Sequence, residues 1–598
     1  MPYGHVNNAP QHYSGRHIMK PSFLAMLLVF CTTTTLQAER PNVIVIMTDD
    51  QGIGDFGFAG NALAETPNLD ALYAGGVHLE QFYVSPVCSP TRACLMTGRY
   101  NYRTRCIDTY LGRSMMDPTE ITMAEVLGGA GYRTGIFGKW HLGDNYPLRA
   151  IDQGFDEALI HKGGGLAQPS EPRENGRKYT DAILFHNGKQ VQTKGYCTDV
   201  YFDAAIEFVT EASKSRDNFF AYIPTNAPHG PFHDVPQELY EAYKQKDFSP
   251  ILMRKLKEGQ LKSENDKLAR IFAMITNVDQ NIGRLVDSLE KLDQLDNTII
   301  VYLNDNGPNS ARYVNAHRGN KSMVLEGGVR SPLIVHWPDG IEAGTVSDQV
   351  GAHIDLLPTL AEACGVKLAK KHHVDGLSLL SALQGDQKKT KERTLVIQSH
   401  RGNQPTLFHN FLIRKGDYKL VHPSGFGKES FAGEPQFELY NVNSDPGETK
   451  NLVNEKPELV KELADLYQDW FKDVSSTRKD NYAPPRIVVG SPHDPVGVLT
   501  RQDWRDGTWA AGANGHWLVN VDSTGIYDIK IVYDSAQVAE SVQLEFGKAV
   551  IQGESPAGAD EVVLRGVQLV VGPQRVKATL SVGDKSRGPY QVIVTKVK

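Results

Sequence analysis

A cysteine and an arginine lie one helical turn apart in residues 88–92 (CSPTR). Ser89 is of a type that caps helix N-termini, Pro90 suits the first helical position, and Gly98 suits a helix end. Cys88 is therefore predicted to lie at a helix N-terminus, where backbone N–H groups and the helix dipole favour an anion. Arg92 adds a planar donor that fits a tetrahedral oxyanion. A nucleophile beside such an anion site is what attack on a sulfate or phosphate group requires.

The cysteine count leaves room for a reactive thiol. Cys31 falls in the export segment described below, and five cysteines remain, at positions 88, 94, 106, 197 and 364. Because five is odd, complete pairing would still leave one thiol over. The alternative is that Cys88 is a buried structural residue, in a disulfide with Cys94 or Cys106. No metal-knuckle partners surround these cysteines, so a zinc site is not expected.

Four predicted strands each lead into a polar cluster. From Pro41 onward, short apolar runs alternate with longer helical stretches, which is typical of an α/β fold with a mostly parallel sheet. Ligands bind at the carboxyl ends of strands in such sheets, so one composite site is predicted there, although polar loops alone would explain any single cluster. The strands and the residues that follow them are 42–47 with Asp49 and Asp50, 132–137 with Lys139 and His141, 219–223 with His229, and 298–303 with Asp305 and Asn306.

The sequence pattern changes twice along the chain. The first part is expected to form a large mixed, mostly parallel sheet flanked by helices, among them an amphipathic helix over residues 268–292. A smaller α+β subdomain follows, and then an alternating pattern that predicts an all-β sandwich. The predicted boundaries are 1–38 for an N-terminal extension and signal peptide, 39–375 for the catalytic domain, 376–482 for the α+β subdomain and 483–598 for the sandwich.

Three tryptophans, Trp504, Trp509 and Trp517, lie near the start of the predicted sandwich. Exposed aromatic rings can stack on sugars, so a carbohydrate-binding role is one interpretation. The preferred interpretation is that they fill the sandwich core or its contact with the catalytic domain, because large aromatic side chains dominate cores.

The motif Cys-x-Pro-x-Arg at 88–92, followed by Ala-x-Leu-x-Thr-Gly-Arg at 93–99, resembles the signature of the type I sulfatases, a family of the alkaline-phosphatase-like superfamily. Residues 138–143 (GKWHLG) resemble the second signature of that family. The resemblance covers roughly residues 40–470 and stops before the sandwich. It implies an alkaline-phosphatase-like fold and hydrolysis of a sulfate ester. Further family features, in the family's order, are 41–52, 227–229, 304–307, Lys321 and 326–330.

The resemblance also implies the cofactors. A dedicated maturase would oxidise Cys88 to formylglycine (3-oxoalanine), which hydrates to a geminal diol. Asp49, Asp50, Asp305 and Asn306 match the metal ligands of the family, and all offer oxygen, which suits one calcium ion rather than zinc. The ion would neutralise sulfate charge and lower the pKa of a diol hydroxyl, and Asp305 would take the attacking proton.

The remaining matched residues would hold the sulfate group and move protons. Arg92, Lys139 and Lys321 would bind the sulfate oxygens and stabilise the transition state. His229 is expected to be the general acid for the departing alkoxide, with Lys321 assisting. His141 would take the proton of the second diol hydroxyl, which expels sulfate and restores the aldehyde. One further hydrogen-bonding residue of the family has no clear match in residues 154–165, where His161 stands.

Two other functions fit part of the pattern. A phosphatase or phosphodiesterase of the same superfamily typically uses serine or threonine and a zinc pair with several histidine ligands, which Cys88 and the histidine-free ligand set disfavour. A non-catalytic sulfated-glycan-binding protein would carry the same motif with its cysteine never oxidised. The expected substrate is a sulfated carbohydrate or a smaller sulfate ester, by analogy with exported sulfatases that carry an added β domain.

The N-terminus predicts export. Met19 and Lys20 precede an apolar run over 23–30 and a polar stretch that ends at Ala38, which are the parts of a secretory signal, and translation is expected to start at Met19. A buried N-terminal helix is the alternative. The run is too short for a stable membrane anchor, so a periplasmic or secreted protein is expected. The net charge of −7 argues against nucleic acid as a partner.

Overall fold

The structure, a computed structural model, describes residues 40–386, 393–480 and 482–597. The predicted extension and signal peptide, with the start at Met19 and with Cys31, lie outside the described residues. From Arg40 onward the chain packs as one unit. Its helices are α1 (Pro67–Gly75), α2 (Cys88–Thr97), α3 (Met123–Gly128), α4 (Cys197–Ser215), α5 (Gln237–Tyr243), α6 (Glu258–Lys291), α7 (Glu326–Val329), α8 (Leu356–Ala363), α9 (Leu380–Leu383) and α10 (Pro457–Ser475).

An 11-stranded sheet forms the first part of the chain. Its strand order is β10-β2-β9-β8-β1-β7-β3-β4-β5-β6, with β11 paired to β2. The run from β8 to β4 is parallel, and antiparallel pairs lie toward both edges, which confirms the predicted mixed sheet. The strands are β1 (Asn42–Thr48), β2 (Val77–Tyr83), β3 (Arg133–Lys139), β4 (Glu157–His161), β5 (Ile183–His186), β6 (Lys189–Gln192), β7 (Phe219–Pro224), β8 (Thr298–Asn304), β9 (Arg330–His336), β10 (Val346–Ser347) and β11 (Gly351–Ala352).

The central strand β1 explains the layering. All its residues are buried, as expected for a strand that helices cover on both faces. Ile44 and Ile46 belong to one apolar cluster with residues of α4 and α6, and Val43 and Val45 belong to a second cluster with residues of α2 and α8. The predicted helix over 268–292 is the apolar part of α6, which begins earlier, at Glu258.

The register of β1 with its parallel neighbours places the polar ends side by side. Asn42 pairs with Thr298 and Thr48 pairs with Asn304, so β1 and β8 end level with each other. On the other side, Met47 pairs with Pro224 of β7. The residues that follow these strands therefore meet at one edge of the sheet, as predicted.

A smaller antiparallel sheet has the order β12-β13-β14-β15. Its strands are β12 (Thr394–Gln398), β13 (Phe411–Lys415), β14 (Tyr418–His422) and β15 (Glu438–Asn441). Leu463 and Tyr467 of α10 pack on Val396 and Phe411 of this sheet. These strands and α10 form the smaller α+β region expected after the large sheet.

Two further sheets form the C-terminal sandwich, with the orders β16-β18-β23-β20-β21 and β17-β25-β19-β22. β24 pairs with β23. The strands are β16 (Ile487–Val489), β17 (Val496–Thr500), β18 (Trp517–Val521), β19 (Gly525–Val532), β20 (Glu540–Phe546), β21 (Ala549–Ser555), β22 (Glu561–Leu569), β23 (Gly572–Val582), β24 (Lys585–Arg587) and β25 (Gln591–Lys596).

The sandwich core contains two of the three tryptophans. Trp504 and Trp517 are fully buried, as the core interpretation predicts, whereas Trp509 is half-buried and meets Tyr110 edge to face at 5.4 Å between ring centroids. Met115 and Leu148 from the first part of the chain join the same apolar cluster. The sandwich is therefore packed against the residues that surround the large sheet. The domain boundaries at 375 and 482 stay predictions.

The cysteines and the helices of the described residues exclude two structural features. The cysteines at positions 88, 94, 106, 197 and 364 are all buried and free, so a disulfide of Cys88 with Cys94 or Cys106 is wrong. Among the described helices, none combines the length and the apolar character needed to cross a bilayer.

Candidate active site

Cys88 is the first residue of α2. The N-cap is Val87, so the prediction that Ser89 caps the helix is wrong, and Ser89 Oγ is buried with no hydrogen-bond partner in the described structure. Val87 is extended, at φ −148° and ψ 155°, and the helix begins at the next residue without a side-chain cap. Gly98 ends the helix in the left-handed region, at φ 66°, as predicted. The Cys88 thiol therefore lies in the first helical turn, where N–H groups are free.

Four oxygen-bearing residues meet where β1 and β8 end. The backbone N–H of Asp50 donates to Asp305 Oδ1 at 3.3 Å, and Asn306 Nδ2 donates to Asp50 Oδ1 at 2.9 Å. Asp49, Asp50, Asp305 and Asn306 are all buried. Asp50 adopts φ 63°, a strained conformation for a residue with a side chain, and such strain is concentrated at functional sites.

This group has the donors that a hard cation requires. One ligand atom each from Asp49, Asp50 and Cys88 lie within 4.8 Å of one another. Asn306 Oδ1 is buried and has no hydrogen-bond partner among the described residues, which is costly unless another group supplies one. Three carboxylates and an amide oxygen fit calcium better than zinc. The residues present therefore fit the predicted ion.

Three cationic side chains neutralise these carboxylates. All three are largely or fully buried, and each reaches a different acid. The pairs are Arg92 Nη2 with Asp305 Oδ2 at 2.9 Å, Lys139 with Asp49, and Lys321 with Asp50. Buried charges persist in this way only when they are paired.

The acids respond differently to this environment. Burial opposes ionisation of Asp49, but the surrounding cations, of which Lys139 contributes most, hold the pKa of Asp49 well below its usual range. Burial and the negative charge of Asp49 together raise the pKa of Asp305. Asp305 therefore holds a proton more readily than Asp49 does.

The Cys88 sulfur lies between an acid and an ammonium group. Cys88 Sγ is 3.7 Å from Asp49 Oδ1 and 3.4 Å from Lys321 Nζ. Burial, with Asp49 adding to it, raises the pKa of the Cys88 thiol to about 12. As a cysteine the residue is therefore a neutral thiol and not a thiolate.

His141 has one nitrogen held and one free. Nε2 lies 2.9 Å from the carbonyl oxygen of Thr109, so Nε2 carries the proton, while Nδ1 is buried and unpartnered in the described structure. Burial first, and then Lys139, lower the pKa of His141 well below its usual value. A neutral imidazole with a free Nδ1 can accept a proton there. Gly164 is necessary beside it, because a Cβ on Gly164 would lie 2.4 Å from His141 Cε1.

His229 presents its other nitrogen to the site. Nδ1 lies 2.7 Å from the carbonyl oxygen of Gly230, so Nδ1 carries a proton and Nε2 is directed to the acids, 3.8 Å from Asp50 Oδ2. The side chain is 22% exposed, more than the buried acids around it. Burial lowers the pKa of His229.

The ten predicted residues converge on one site. Nine of them are joined by direct contacts: Asp49, Asp50, Cys88, Arg92, Lys139, His229, Asp305, Asn306 and Lys321. His141 and His229 both lie against the glycine loop 163–165. A Cβ on Gly164 would lie 2.4 Å from His141 Cε1, and a Cβ on Gly165 would lie 3.4 Å from His229 Nδ1. Their roles stay predictions.

Two residues near the site were not predicted. His161 is the last residue of β4 and pairs in register with Lys139. Its Nε2 is buried without a partner in the part of the chain described, and burial lowers its pKa to about 3. Gln502, from the segment after β17, places its Nε2 atom 3.5 Å from His141 Nε2. Gln502 lies beyond the family motifs, so no sequence signal marked it.

Parallel strands that end in acids, lysines and histidines around a helix N-terminus define an ester hydrolase with the alkaline-phosphatase-like fold. The family model described as Sulfatase matches residues 41–366, and the model described as N-sulphoglucosamine sulphohydrolase, C-terminal, matches residues 318–473. The chain belongs to the sulfatase family, and it is a sulfatase.

Its relatives include sulfatases from bacteria and animals. The N-acetylglucosamine-6-O-sulfatase of Bacteroides thetaiotaomicron is 27% identical over 74% of this chain and 88% of its own length. The N-acetylgalactosamine-6-sulfatase of Sus scrofa is 32% identical over 61% of this chain and 69% of its own length. The solved structure of Ps i-CgsB in complex with k-i-k-neocarrahexaose is 28% identical, with a TM-score of 0.62 over 73% of this chain and 94% of that one.

Proposed function

We propose that this sulfatase removes sulfate from a sulfated carbohydrate, with formylglycine derived from Cys88 and one calcium ion held by Asp49, Asp50, Asp305 and Asn306. The observation that carries the proposal is the position of Cys88, buried at a helix N-terminus with Lys321 Nζ at 3.4 Å and Asp49 Oδ1 at 3.7 Å. An attacking atom there would have an anion site and an oxygen-rich cation site on either side.

The thiol itself is poorly suited to attack. Because burial raises the pKa of Cys88 to about 12, almost none of it is thiolate near neutral pH. Formylglycine at this position would instead supply a hydrated aldehyde whose hydroxyl groups are the reacting atoms. Calcium in the acid cluster would supply positive charge that favours ionisation of such a hydroxyl and offsets the charge of the sulfate group.

The three buried cations would bind the sulfate oxygens. Arg92 donates through Nη1 to the Lys139 carbonyl oxygen at 2.7 Å and through Nη2 to Asp305, while its Nε is buried and unpartnered in the described residues. Lys139 and Lys321 each have further ammonium hydrogens beyond the one directed to an aspartate. These donors are held in place before the substrate arrives, which is the arrangement that stabilises charge in a transition state.

Three residues would move protons at separate atoms. Asp305, whose pKa is raised by burial and by Asp49, would take the proton of the attacking hydroxyl. His229 would donate from Nε2 to the departing alkoxide, since the negative charge of a bound sulfate ester raises the pKa of that imidazole. His141 would accept at Nδ1 the proton of the second hydroxyl at residue 88, because its Nε2 is already occupied by the Thr109 carbonyl.

The carbohydrate substrate is supported by the relatives, which are named for 6-sulfated amino sugars. We further infer that the protein is exported to the periplasm or secreted and that a formylglycine-generating maturase is its partner. The export inference comes from the sequence pattern of residues 19–38.

Mass spectrometry and sulfate release test the proposal together. Protein made with a maturase is expected to lose about 18 Da at Cys88, as conversion of a thiol to an aldehyde requires. Cys94, on the same helix, is the internal control and keeps its thiol. Cys88→Ala is expected to abolish sulfate release from 4-nitrophenyl sulfate. Normal turnover with an unmodified Cys88, or faster turnover of 4-nitrophenyl phosphate than of the sulfate, contradicts the proposal.

A further inference from the structure

A cavity outside the candidate active site is lined by a segment that contacts His141. It has a volume of about 270 Å³ and is formed by residues 108–113, residues 401–403 and residues 505–507 of the sandwich. The segment 108–113 contributes its wall and also carries Thr109, whose carbonyl oxygen holds His141 Nε2 at 2.9 Å. The cavity is therefore lined by the same segment that contacts His141, but it contains none of the ten predicted residues.

The acids around this cavity are already occupied or solvated. Asp108 forms an ion pair with Arg401 at 2.5 Å, and the Arg401 guanidinium lies over the Tyr110 ring at 4.0 Å. Asp506 Oδ2 lies 3.3 Å from His516 Nδ1 and is exposed, as is Glu429. Asp108 is thus paired with Arg401, and the other two carboxylates lie at the solvated rim of the cavity.

Two arginines line the wall without a directly paired acid among the described residues. Arg113 donates to neutral acceptors, Asn403 Oδ1 at 3.1 Å and the Tyr482 carbonyl oxygen at 2.5 Å. Arg505 is only 9% exposed, and its Nη1 is buried with no hydrogen-bond partner among the described residues. Within the described ranges no carboxylate is in ion-pair contact with either guanidinium.

The electrostatics agree with this geometry. Burial, with the nearby charge of Arg505 adding to it, lowers the pKa of Arg113 to about 9. Burial also lowers the pKa of Arg505, although nearby acids, of which Asp506 contributes most, oppose this shift. Two like charges that are buried together without a directly paired acid are costly, and an anion that joins them would lower this cost.

We propose that this cavity, the Arg113–Arg505 subsite, binds a second oxyanion, a sulfate or carboxylate group, on the same polyanionic glycan whose reacting sulfate occupies the site at Cys88. The guanidinium of Arg505 offers a planar fork of donors that fits such a group. The inference rests on the proposed function and adds a substrate class to it. It also gives the sandwich a direct part in substrate recognition, because Arg505 belongs to that region.

A polysulfated probe tests the subsite. Sucrose octasulfate is used as an inhibitor of 4-methylumbelliferyl sulfate hydrolysis by the matured full-length enzyme. Arg505→Ala is expected to raise the inhibition constant about tenfold, the usual cost of losing a hydrogen bond to a charged group. Arg565→Ala is the matched control: it removes the same charge from an exposed arginine of the sandwich, with a side chain 75% exposed, and is expected to leave the constant within about twofold.

Inhibition by inorganic sulfate separates a subsite for a substrate-borne anion from a site for free anions. Inorganic sulfate is expected to inhibit the wild-type enzyme and Arg505→Ala equally, because a free anion needs only the site at Cys88. If Arg505→Ala weakens inhibition by inorganic sulfate and by sucrose octasulfate equally, the cavity binds free anions and the proposal is overturned. An inhibition constant for sucrose octasulfate that is unchanged in Arg505→Ala also overturns it. If Arg505→Ala lowers the Tm, Arg505→Gln replaces it.

Failure of the proposed function is distinguishable from failure of the subsite. A matured wild-type enzyme that releases no sulfate refutes the proposed function alone. In that case isothermal titration of sucrose octasulfate into wild-type protein and Arg505→Gln still measures the subsite. Equal Kd values in that titration overturn it.

Discussion

Gln502 of the sandwich lies against His141 of the catalytic region, with 3.5 Å between their Nε2 atoms. Both side chains share one acceptor, since Gln502 Nε2 lies 3.1 Å and His141 Nε2 lies 2.9 Å from the carbonyl oxygen of Thr109. Gln502 is 1% exposed. His141 also adopts φ 58°, a strained conformation that the surrounding contacts must hold. The sandwich therefore positions the imidazole proposed to restore the aldehyde.

Gln502→Ala is expected to lower kcat about tenfold with a smaller change in KM, because a loosely held base spends less time in the reactive position. The comparison is made on 4-nitrophenyl sulfate, with Gln543→Ala, an exposed glutamine of the same sandwich, as control. A purely structural role of Gln502 would lower the Tm and leave the kcat of the folded enzyme unchanged.

Gln502→Glu tests the same contact by charge. A carboxylate beside His141 favours the protonated imidazole and so raises the pKa of His141. The acid limb of the kcat–pH profile is expected to move to higher pH, because the base is then lost at a higher pH. An acid limb identical to that of the wild-type enzyme contradicts the proposed position of Gln502.

The site could be predicted from sequence because its residues follow strands that end level with each other. Asp49 and Asp305 are far apart in the chain, yet the pairing of Thr48 with Asn304 brings them to one edge of the sheet. Any sequence that places polar clusters after buried parallel strands makes this prediction possible. The family motifs then identified which polar residues belong together.

Other features depend on contacts that the sequence pattern does not contain. Gln502 reaches His141 only because the sandwich packs against residues 109–112, with the Gly112 N–H donating to the Gln502 carbonyl oxygen at 3.2 Å. The first turns of α6 carry polar residues, so apolar periodicity could not detect the start at Glu258. The N-cap at Val87 was missed because it uses no side-chain hydrogen bond.

Calcium is expected to stabilise the fold as well as support turnover. Removing the ion leaves Asp49, Asp50 and Asp305 close together, and a ligand at a hundredfold excess over its Kd stabilises by about 2.7 kcal/mol. Dialysis against EGTA should lower the Tm and stop sulfate release, and added calcium should restore both. Asn306→Ala should weaken this calcium-dependent Tm shift, whereas Asp217→Asn, at an exposed position, should keep it. An enzyme shown by elemental analysis to be metal-free yet fully active contradicts the assignment.

The leaving group identifies the general acid. His229→Ala is expected to reduce turnover of a sugar sulfate by about 10²–10⁴-fold, the usual contribution of general acid catalysis. Turnover of 4-nitrophenyl sulfate should fall much less, because nitrophenolate departs without protonation. His233→Ala, at an exposed histidine close in sequence, is the control. Equal losses on both substrates would assign His229 to sulfate binding instead.

The buried His353 predicts sensitivity to acid that is independent of catalysis. Its Nδ1 accepts the N–H of Ile354 at 3.0 Å and its Nε2 lies 2.9 Å from Ser85 Oγ, so both nitrogens are used by a neutral ring. Burial, with Arg393 adding to it, lowers the pKa of His353 from 6.5 to about 3. The unfolded chain therefore binds this proton before the folded protein does.

The free energy of unfolding is expected to fall as the pH is lowered, because the unfolded chain binds this proton first. The contribution of His353 to the free energy of unfolding is complete above pH 6.5 and falls by about 1.4 kcal/mol per pH unit as the pH drops toward the folded pKa. His353→Gln, which cannot titrate, should reduce the slope of stability against pH by about one proton in urea unfolding between about pH 7 and pH 5. Gln543→Ala, which removes an exposed side chain that does not titrate, is the control and should leave the slope unchanged. Identical slopes for wild type and His353→Gln would mean that the ring is protonated in the folded protein, which the Ile354 contact opposes.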